Sequence, residues 1–198
     1  VKAGRKAAGV IAAAFYGHPD EKLKVIGVTG TNGKTTTCHM LASILTAAGK
    51  ECGIIGTLGI RYANREISPD LTTPDPPYLY KIFADMAEAG VEYVVMEVSA
   101  HALYFGKVDG VRFEAGIFTN FTEDHLDFFK TIDAYAAAKE KLFEKGRCRF
   151  SVFNFDDAEG RKIAASCDNA YSYALENPAD VFAVDIRENF DGCSYVIN

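Results

Sequence analysis

Residues 24–48 read KVIGVTGTNGKTTTCHMLASILTAA, and this stretch decides the fold. Branched apolar residues at 24–28 predict a short strand, and a turn rich in Gly, Thr and Asn follows at 29–33. The rest of the stretch repeats apolar side chains on one helical face, and Gly49 ends the predicted helix. Strand, glycine turn and helix together form the first unit of an α/β fold.

The turn is typical of a phosphate-binding loop. Gly30 and Gly33 permit tight backbone geometry, so that N–H groups can converge on phosphate oxygens beside the positive end of the helix. Lys34 can reach the β- and γ-phosphates of a nucleotide, and the Thr35 hydroxyl can bind Mg²⁺. The general pattern GxxxxGK[ST] would place a glycine where Val28 stands, so an ordinary glycine-rich turn is the alternative interpretation.

The remaining chain continues the alternation of strands and helices. Strands are predicted at 52–57, 91–99, 113–119, 150–155 and 171–174, helices at 7–15, 76–89, 132–145 and 157–167, a hairpin or extended excursion at 58–68, and strands alone from 179 onward. This order predicts a mainly parallel sheet flanked by helices.

Composition limits the class of protein. A chain of 198 residues with 48% hydrophobic and 24% charged residues is typical of one globular domain. No apolar run approaches the roughly 20 residues that span a bilayer, so we expect no membrane segment. The net charge of −6 argues against nucleic-acid binding, which needs a basic face.

The cysteines indicate a reducing compartment. There are five, Cys38, Cys52, Cys148, Cys167 and Cys193, and no two of them have CxxC spacing. An odd number without metal-site spacing favours reduced, mostly buried thiols over a zinc site or a disulfide framework. We therefore expect a cytoplasmic protein, and a monomer.

Polar residues follow two of the predicted buried strands. Glu97 lies near the end of the strand at 91–99, at the sheet edge where α/β proteins bind ligands. Its carboxylate can hold Mg²⁺, directly or through water, or can serve as a structural acid. His101 can orient the same site or can be a structural histidine.

The segment 119–127, TNFTEDHLD, follows the next strand and brings more polar groups to that edge. Here His125 can be a metal ligand, with Asp124 or Asp127 behind it. By periodicity Lys139, on the next predicted helix, can share a face with Tyr135 and Phe143 and be less solvated than Lys141, or it can simply be a surface charge.

Four motifs together resemble the central domain of the Mur ligases. They are TGTNGKTT at 29–36, MEVSAH at 96–101, FTNFTEDHLDF at 118–128 and YAAAKEKLF at 135–143. LTTPD at 71–75 is similar to the branch of this family that makes the UDP-N-acetylmuramoyl tripeptide. The family form of the loop is the shorter GTNGKT, so Val28 fits it.

The resemblance implies a fold like that of the phosphate-binding-loop NTPases and an ATP-dependent amide ligase of peptidoglycan synthesis. In that family a substrate carboxylate attacks the γ-phosphate of ATP to give an acyl phosphate, which the amine of an amino acid then displaces. The implied substrates are UDP-N-acetylmuramoyl-L-alanyl-D-glutamate and either meso-diaminopimelate or L-lysine, with Mg²⁺ beside the ATP.

The resemblance also assigns roles to residues. The expected ATP contacts are Gly30, Thr31, Asn32, Gly33, Lys34, Thr35, Thr36 and Asn120. The expected metal ligands are Thr35, Glu97, His125 and Lys139, the last as a carbamate, and the expected catalytic residues are Lys34, Glu97, His125 and Lys139. The expected contacts to the muramoyl peptide are Thr72, Thr73, Ser99 and Lys107.

The chain departs from the family pattern at four positions. Ala100 replaces a serine, Phe105 stands where a glutamine is frequent, and Phe129 replaces a histidine. Lys107 stands in place of an arginine, which keeps the charge but loses the two-pronged geometry of a guanidinium. These changes bear on the muramoyl-peptide contacts more than on ATP chemistry.

The resemblance predicts a domain layout as well. Residues 1–23 would lead out of an N-terminal UDP-binding domain, and 24–198 would be the central ATP-binding domain, incomplete at its C-terminal end. Without a C-terminal amino-acid-binding domain, we expect this chain alone to lack ligase activity.

Two alternatives stay open. One is a folylpolyglutamate or cyanophycin synthetase relative, although folate enzymes usually read GKGS where this chain reads GKTT. The other is a nucleotide-binding module that no longer catalyses. Such a module would have no need to keep Lys34, Thr35, Glu97, His125 and Lys139 together.

Overall fold

One ten-stranded sheet organises the residues that the computed structural model describes, which are 2–68, 70–190 and 192–198. Its strands are β1 (Lys24–Thr29), β2 (Cys52–Gly56), β3 (Gly59–Tyr62), β4 (Arg65–Ile67), β5 (Tyr93–Glu97), β6 (Phe113–Phe118), β7 (Cys148–Asn154), β8 (Ala170–Ala174), β9 (Val181–Asn189) and β10 (Gly192–Ile197). The helices are α1 (Lys2–Phe15), α2 (Lys34–Ala47), α3 (Pro76–Glu88), α4 (Ala100–Phe105), α5 (Leu126–Phe129), α6 (Ile132–Glu140) and α7 (Ala158–Ala164).

The strand order is β10-β9-β8-β7-β6-β1-β5-β2-β3-β4. All pairs from β9 to β2 are parallel, while β10 and the β3–β4 hairpin add antiparallel strands at the two edges. The predicted mainly parallel sheet flanked by helices is therefore confirmed. Since β1 lies between β5 and β6, the loop after β1 opens at the centre of the sheet, where neighbouring strand ends leave a crevice.

The two faces of β1 are covered by different helices. Val25 belongs to the main core cluster, together with Leu79 of α3. On the other face, Ile26 and Val28 pack with Cys38 of α2. A parallel sheet needs such cover on both sides. This packing explains why a valine stands at position 28 in place of the glycine of the general loop pattern, because the fully buried Val28 side chain fills the contact between β1 and α2.

The described residues that precede β1 pack onto the same domain. Ala12 and Ala13 of α1 are each only 6% exposed and belong to the main core cluster, as does Leu23. A short 3-10 helix, Pro19–Glu21, then leads into β1.

Several element boundaries differ from the prediction. The helix predicted at 132–145 ends at Glu140 and continues as the 3-10 turn Lys141–Phe143, and the strand predicted at 91–99 is limited to β5. The helices α4 and α5 were not predicted, because six and four residues are too few to show a helical period. The predicted hairpin at 58–68 is confirmed as β3 and β4.

The expectation of mostly buried thiols is wrong in part. Only Cys38 is buried, whereas Cys52, Cys148 and Cys167 are half-buried and Cys193 is exposed. Among the described helices, none combines the length and the apolar character that a membrane crossing requires.

Candidate functional site

A cleft of about 470 Å³ opens at the carboxyl ends of the central strands. It is lined by the loop residues Thr31, Asn32, Gly33, Lys34, Thr35 and Thr36, and on its other walls by Thr57, Thr72, Glu97, Ser99, Ala100, His101, His125, Tyr135 and Lys139. Most residues that the sequence predicted for the site therefore meet in one cleft, although they are spread over more than a hundred positions.

The loop at the start of α2 is shaped for an anion. Gly33 precedes the helix in the left-handed region, with φ of 81°, and offers no side chain to cap it. The first N–H groups of a helix need an acceptor, and a phosphate can supply one. Gly30 has φ of 144°, and a Cβ there would collide with the hydroxyl of Thr119. Both glycines are therefore required by the backbone.

The two residues after β6, Thr119 and Asn120, hold this loop through hydrogen bonds. The Asn120 carbonyl accepts from the Thr31 N–H at 2.9 Å, and its side-chain oxygen accepts from the Asn32 N–H at 2.9 Å. Thr119 Oγ1 donates to the Asn32 carbonyl at 2.6 Å. Asn120, predicted as an ATP contact, lies outside the cleft lining and acts here as a support of the loop.

Two lysines converge on one carbonyl. Lys34 Nζ donates to the Gly30 carbonyl at 3.0 Å and to that of Thr31 at 2.8 Å. Lys139 Nζ donates to the same Gly30 carbonyl at 2.7 Å and is only 1% exposed. Burial lowers the pKa of Lys34, opposed by nearby carboxylates. Burial, and then the charge of Lys34, lowers the pKa of Lys139 to about 7 against the opposing pull of Asp124.

Glu97 supplies a buried carboxylate beside these cations. It is 2% exposed, and Thr35 Oγ1 donates to its Oε1 at 3.0 Å. The backbone N–H of Thr57 donates to the same oxygen at 2.8 Å, and Thr57 Oγ1 donates to Oε2 at 3.3 Å. Gly56 makes room for this group, since a Cβ at that position would collide with the carboxylate.

A hydroxyl next to a carboxylate is a set of hard oxygen donors, which is what Mg²⁺ prefers. Thr35 and Glu97 therefore fit the predicted magnesium site. Across residues 2–68, 70–190 and 192–198, no three His, Cys, Asp or Glu side chains form a metal cluster. A cation here would thus draw its remaining ligands from a bound phosphate and water.

Two histidines, His101 and His125, also line the cleft. The His125 ring is 5.0 Å from that of His101 and 5.8 Å from that of Tyr135. His101 also packs on Phe128 at 4.5 Å and Phe129 at 5.2 Å, and burial lowers its pKa. His101 therefore lines the cleft and takes part in an aromatic cluster at once. Phe129, which replaces a family histidine, is a core member of that cluster.

The residues predicted to contact the muramoyl peptide divide into two groups. Thr72 and Ser99 line the cleft. Thr73, only 2% exposed, instead donates to the carbonyl at the end of β5 at 2.9 Å. Lys107 donates to the Thr73 carbonyl at 3.2 Å and forms an ion pair with Asp75 at 3.1 Å. The structure places Thr73 and Lys107 behind the cleft wall, where they fix the loop that carries Thr72.

Three residues that line the cleft, Thr57, Ala100 and Tyr135, were not predicted as site residues. Tyr135 was part of a quoted motif, and its hydroxyl donates to Thr31 Oγ1 at 3.4 Å. Thr57 carried no signal, because its importance comes from contact with a carboxylate 40 positions later in the chain. Only the fold brings those two residues together.

The sheet order, the glycine loop before α2, and the buried lysine and carboxylate at its mouth define an α/β domain of the phosphate-binding-loop class. Residues 28–198 match the family described as Mur ligase middle domain. The chain belongs to this family.

Relatives with assigned names support a closer grouping. The UDP-N-acetylmuramoyl-L-alanyl-D-glutamate–2,6-diaminopimelate ligase of Clostridium perfringens (strain 13 / Type A) is 41% identical over 204 residues, covering 100% of this chain and 42% of the relative. A solved structure of a ligase with the same name superimposes with a TM-score of 0.85 at 28% identity, covering 97% of this chain and 41% of that one.

A folylpolyglutamate synthase structure from Mycobacterium tuberculosis is similar in fold alone. Its TM-score is 0.70 at 15% identity, covering 97% of this chain and 51% of that one. The chain spans about two fifths of the length of the curated relatives that it matches.

Proposed function

We propose that this chain is the ATP-binding domain of a ligase that joins 2,6-diaminopimelate to UDP-N-acetylmuramoyl-L-alanyl-D-glutamate, with residues 1–23 leading into it. The observation that carries the proposal is the convergence of Lys34, Thr35, Glu97 and Lys139 on one cleft at the loop before α2. The name shared by the relatives favours this substrate, and diaminopimelate over lysine.

The loop would bind the phosphates of ATP. In the structure Lys34 Nζ donates to two loop carbonyls. The β- and γ-phosphate oxygens of ATP would be stronger acceptors because they are charged. The uncapped first turn of α2 adds backbone donors on the same side. Thr35 and Glu97 would hold Mg²⁺, which when bound neutralises charge on the phosphate oxygens.

Lys139 is suited to become a carbamate. Because burial lowers its pKa to about 7, Lys139 carries a neutral amine at neutral pH far more often than an exposed lysine does, and only the neutral amine attacks CO₂. The ammonium group of Lys139 first loses one proton. The neutral nitrogen then bonds to the CO₂ carbon and loses a second proton, so a cation becomes an anion with two oxygens. Together with His125, which lies beside the same Tyr135 ring as Lys139, this carbamate would supply donors for a second cation.

The proposed reaction has two steps. A carboxylate oxygen of the muramoyl dipeptide attacks the γ-phosphorus, ADP leaves, and an acyl phosphate forms. The amine of diaminopimelate then attacks the acyl carbon, loses a proton, and phosphate leaves. Lys34 would stabilise the charge on the transferring phosphoryl group.

Calorimetry tests the nucleotide site. Titration of the chain with Mg²⁺ and the non-hydrolysable ATP analogue AMPPCP should show binding that Lys34→Ala weakens at least tenfold. Lys145→Ala, at a side chain that is 93% exposed, should bind as the unaltered chain does. Circular dichroism verifies that each variant is folded. A folded chain that does not bind, or equal binding by Lys34→Ala, contradicts the proposal.

Ligase activity tests the substrate. In the ligase that contains this chain, phosphate release from ATP should require both the UDP-muramoyl dipeptide and diaminopimelate. Phosphate release with a folate and glutamate, and none with the muramoyl substrates, would instead support the folylpolyglutamate synthetase alternative.

A further inference from the structure

Thr57 lies between Glu97 and Thr72, two other residues that line the cleft. It stands in the two-residue turn between β2 and β3, where Gly56 pairs with Gly59. Because the turn is so short, the N–H of Thr57 is held in one direction, and it donates to Glu97 Oε1 at 2.8 Å. The side-chain hydroxyl donates to the other carboxylate oxygen at 3.3 Å. One residue therefore holds both oxygens of Glu97.

These hydrogen bonds use most of the acceptor positions of the Glu97 carboxylate. An ionised carboxylate offers about four lone-pair positions, two on each oxygen. Oε1 of Glu97 uses both of its positions, for the Thr35 hydroxyl and the Thr57 N–H. Oε2 uses one, for the Thr57 hydroxyl. Within the part of the chain that the structure describes, a single acceptor position therefore remains, on Oε2, and Glu97 lines the cleft.

The same hydroxyl also contacts Thr72, which lines the cleft as well. Thr57 Oγ1 lies 3.0 Å from Thr72 Oγ1, in the loop between β4 and α3. Since the Thr57 proton goes to a charged acceptor, Thr72 is the donor in this second bond. The order of donation is Thr72 to Thr57 to Glu97. The next residue, Thr73, is fixed separately on the end of β5.

We infer that Thr57 is a positioning residue, which directs the last free acceptor position of Glu97 toward the cation of the bound nucleotide and links that carboxylate to Thr72. This inference rests on the proposed function. A cation bound at Glu97 would hold this carboxylate still, and the hydrogen-bonded chain would then hold the loop at 70–72. Nucleotide binding would thereby order the loop that carries Thr72.

The test separates the binding of the cation from that of the nucleotide. AMPPCP affinity is measured by calorimetry with Mg²⁺ and with EDTA, for the unaltered chain and for Thr57→Val, Thr57→Ser and Thr46→Val. Thr57→Val keeps the shape and the N–H but lacks the hydroxyl, whereas Thr57→Ser keeps the hydroxyl. Thr46 is an exposed threonine on α2 and serves as the matched control.

We expect Mg²⁺ to strengthen AMPPCP binding in the unaltered chain, Thr57→Ser and Thr46→Val. In Thr57→Val this gain should fall about tenfold, the factor that one hydrogen bond to a charged group provides, with the affinity in EDTA unchanged. If Thr57→Val does not fold, Thr57→Ala takes its place, with the same expectation. A gain from Mg²⁺ in the folded variant as large as in the unaltered chain overturns the inference.

Hydrogen exchange tests the link to Thr72. On addition of Mg²⁺ and AMPPCP, amide exchange in a peptide spanning 70–75 should slow at least twofold in the unaltered chain and in Thr57→Ser. It should stay constant in Thr57→Val and Thr72→Val. Constant exchange in an unaltered chain that binds the nucleotide overturns the link alone. A folded chain that does not bind overturns the proposed function and this inference together.

Discussion

Replacement of Lys139 by methionine should change how the stability of the chain depends on pH. Lys139 is 1% exposed, donates to the Gly30 carbonyl and lies 4.3 Å from the centre of the Tyr135 ring. Methionine keeps the length and the ring contact but removes the titrating amine. The Gly30 carbonyl keeps its bond from Lys34.

The magnitude follows from the pKa. The unfolded chain holds the Lys139 proton up to its ordinary pKa of 10.5, whereas burial makes the folded chain release it near 7. Between these values the unfolded state binds more protons, so the free energy of unfolding of the unaltered chain rises with pH. From pH 7 to pH 9 the rise amounts to about 2 kcal/mol, at up to about 1.4 kcal/mol per pH unit.

Urea denaturation at several pH values, in buffers free of CO₂, measures this difference. The free energy of unfolding of the unaltered chain relative to Lys139→Met should increase by about 2 kcal/mol from pH 7 to pH 9. The comparison cancels the titration of the groups that do not interact with Lys139. Lys145→Met, at an exposed lysine, should run parallel to the unaltered chain. Parallel curves for Lys139→Met as well would refute the assignment of a buried amine with a lowered pKa.

Two further substitutions test the shape of the site and its aromatic wall by urea denaturation. Gly30→Ala should destabilise the chain by about 3 kcal/mol, because φ of 144° excludes a Cβ and Thr119 occupies its space. Gly4→Ala, in open space on α1, should stabilise it by about 0.5–1 kcal/mol, and a loss there as large as at Gly30 would contradict the argument. Phe129→Ala should lower the free energy of unfolding by about 3 kcal/mol, because Phe129 is only 6% exposed. Phe128→Ala, at a residue that is 37% exposed, should lower it by about 1 kcal/mol or less. Equal losses in the two variants would contradict the packing described.

The elements that were predicted correctly are those for which a short sequence pattern is compatible with one local structure. The stretch 24–48 combines a branched strand, two glycines and a periodic helix, and each signal is read within a few residues. The buried strands at β5 and β6 show as apolar runs, since a parallel sheet covered on both faces needs apolar side chains throughout. The motif at 29–36 likewise placed the cleft, because the ends of parallel strands share one edge.

The roles of individual side chains were less accessible, because they depend on partners far away in the chain. Asn120 and Lys107 stay predicted ligand contacts, and the fold adds a support role that the sequence did not show, since both hydrogen-bond to loops that carry cleft residues. A lysine in a helix is usually solvated, and only the packing of α6 against the β1 loop buries Lys139 and lowers its pKa. The sequence around the lysine left this burial open as one of two interpretations.

By itself, then, the sequence determined the α/β class, the phosphate-binding loop and the family motifs, since these arise from contacts within short segments and from recognisable spacing. Tertiary structure alone decided that Glu97 is held at both oxygens by Thr57 and that Lys139 shares a carbonyl with Lys34. Hydrogen bonds and burial are properties of atoms brought within a few ångströms of each other. Residues 40 to 109 positions apart reach that distance only when the sheet has formed.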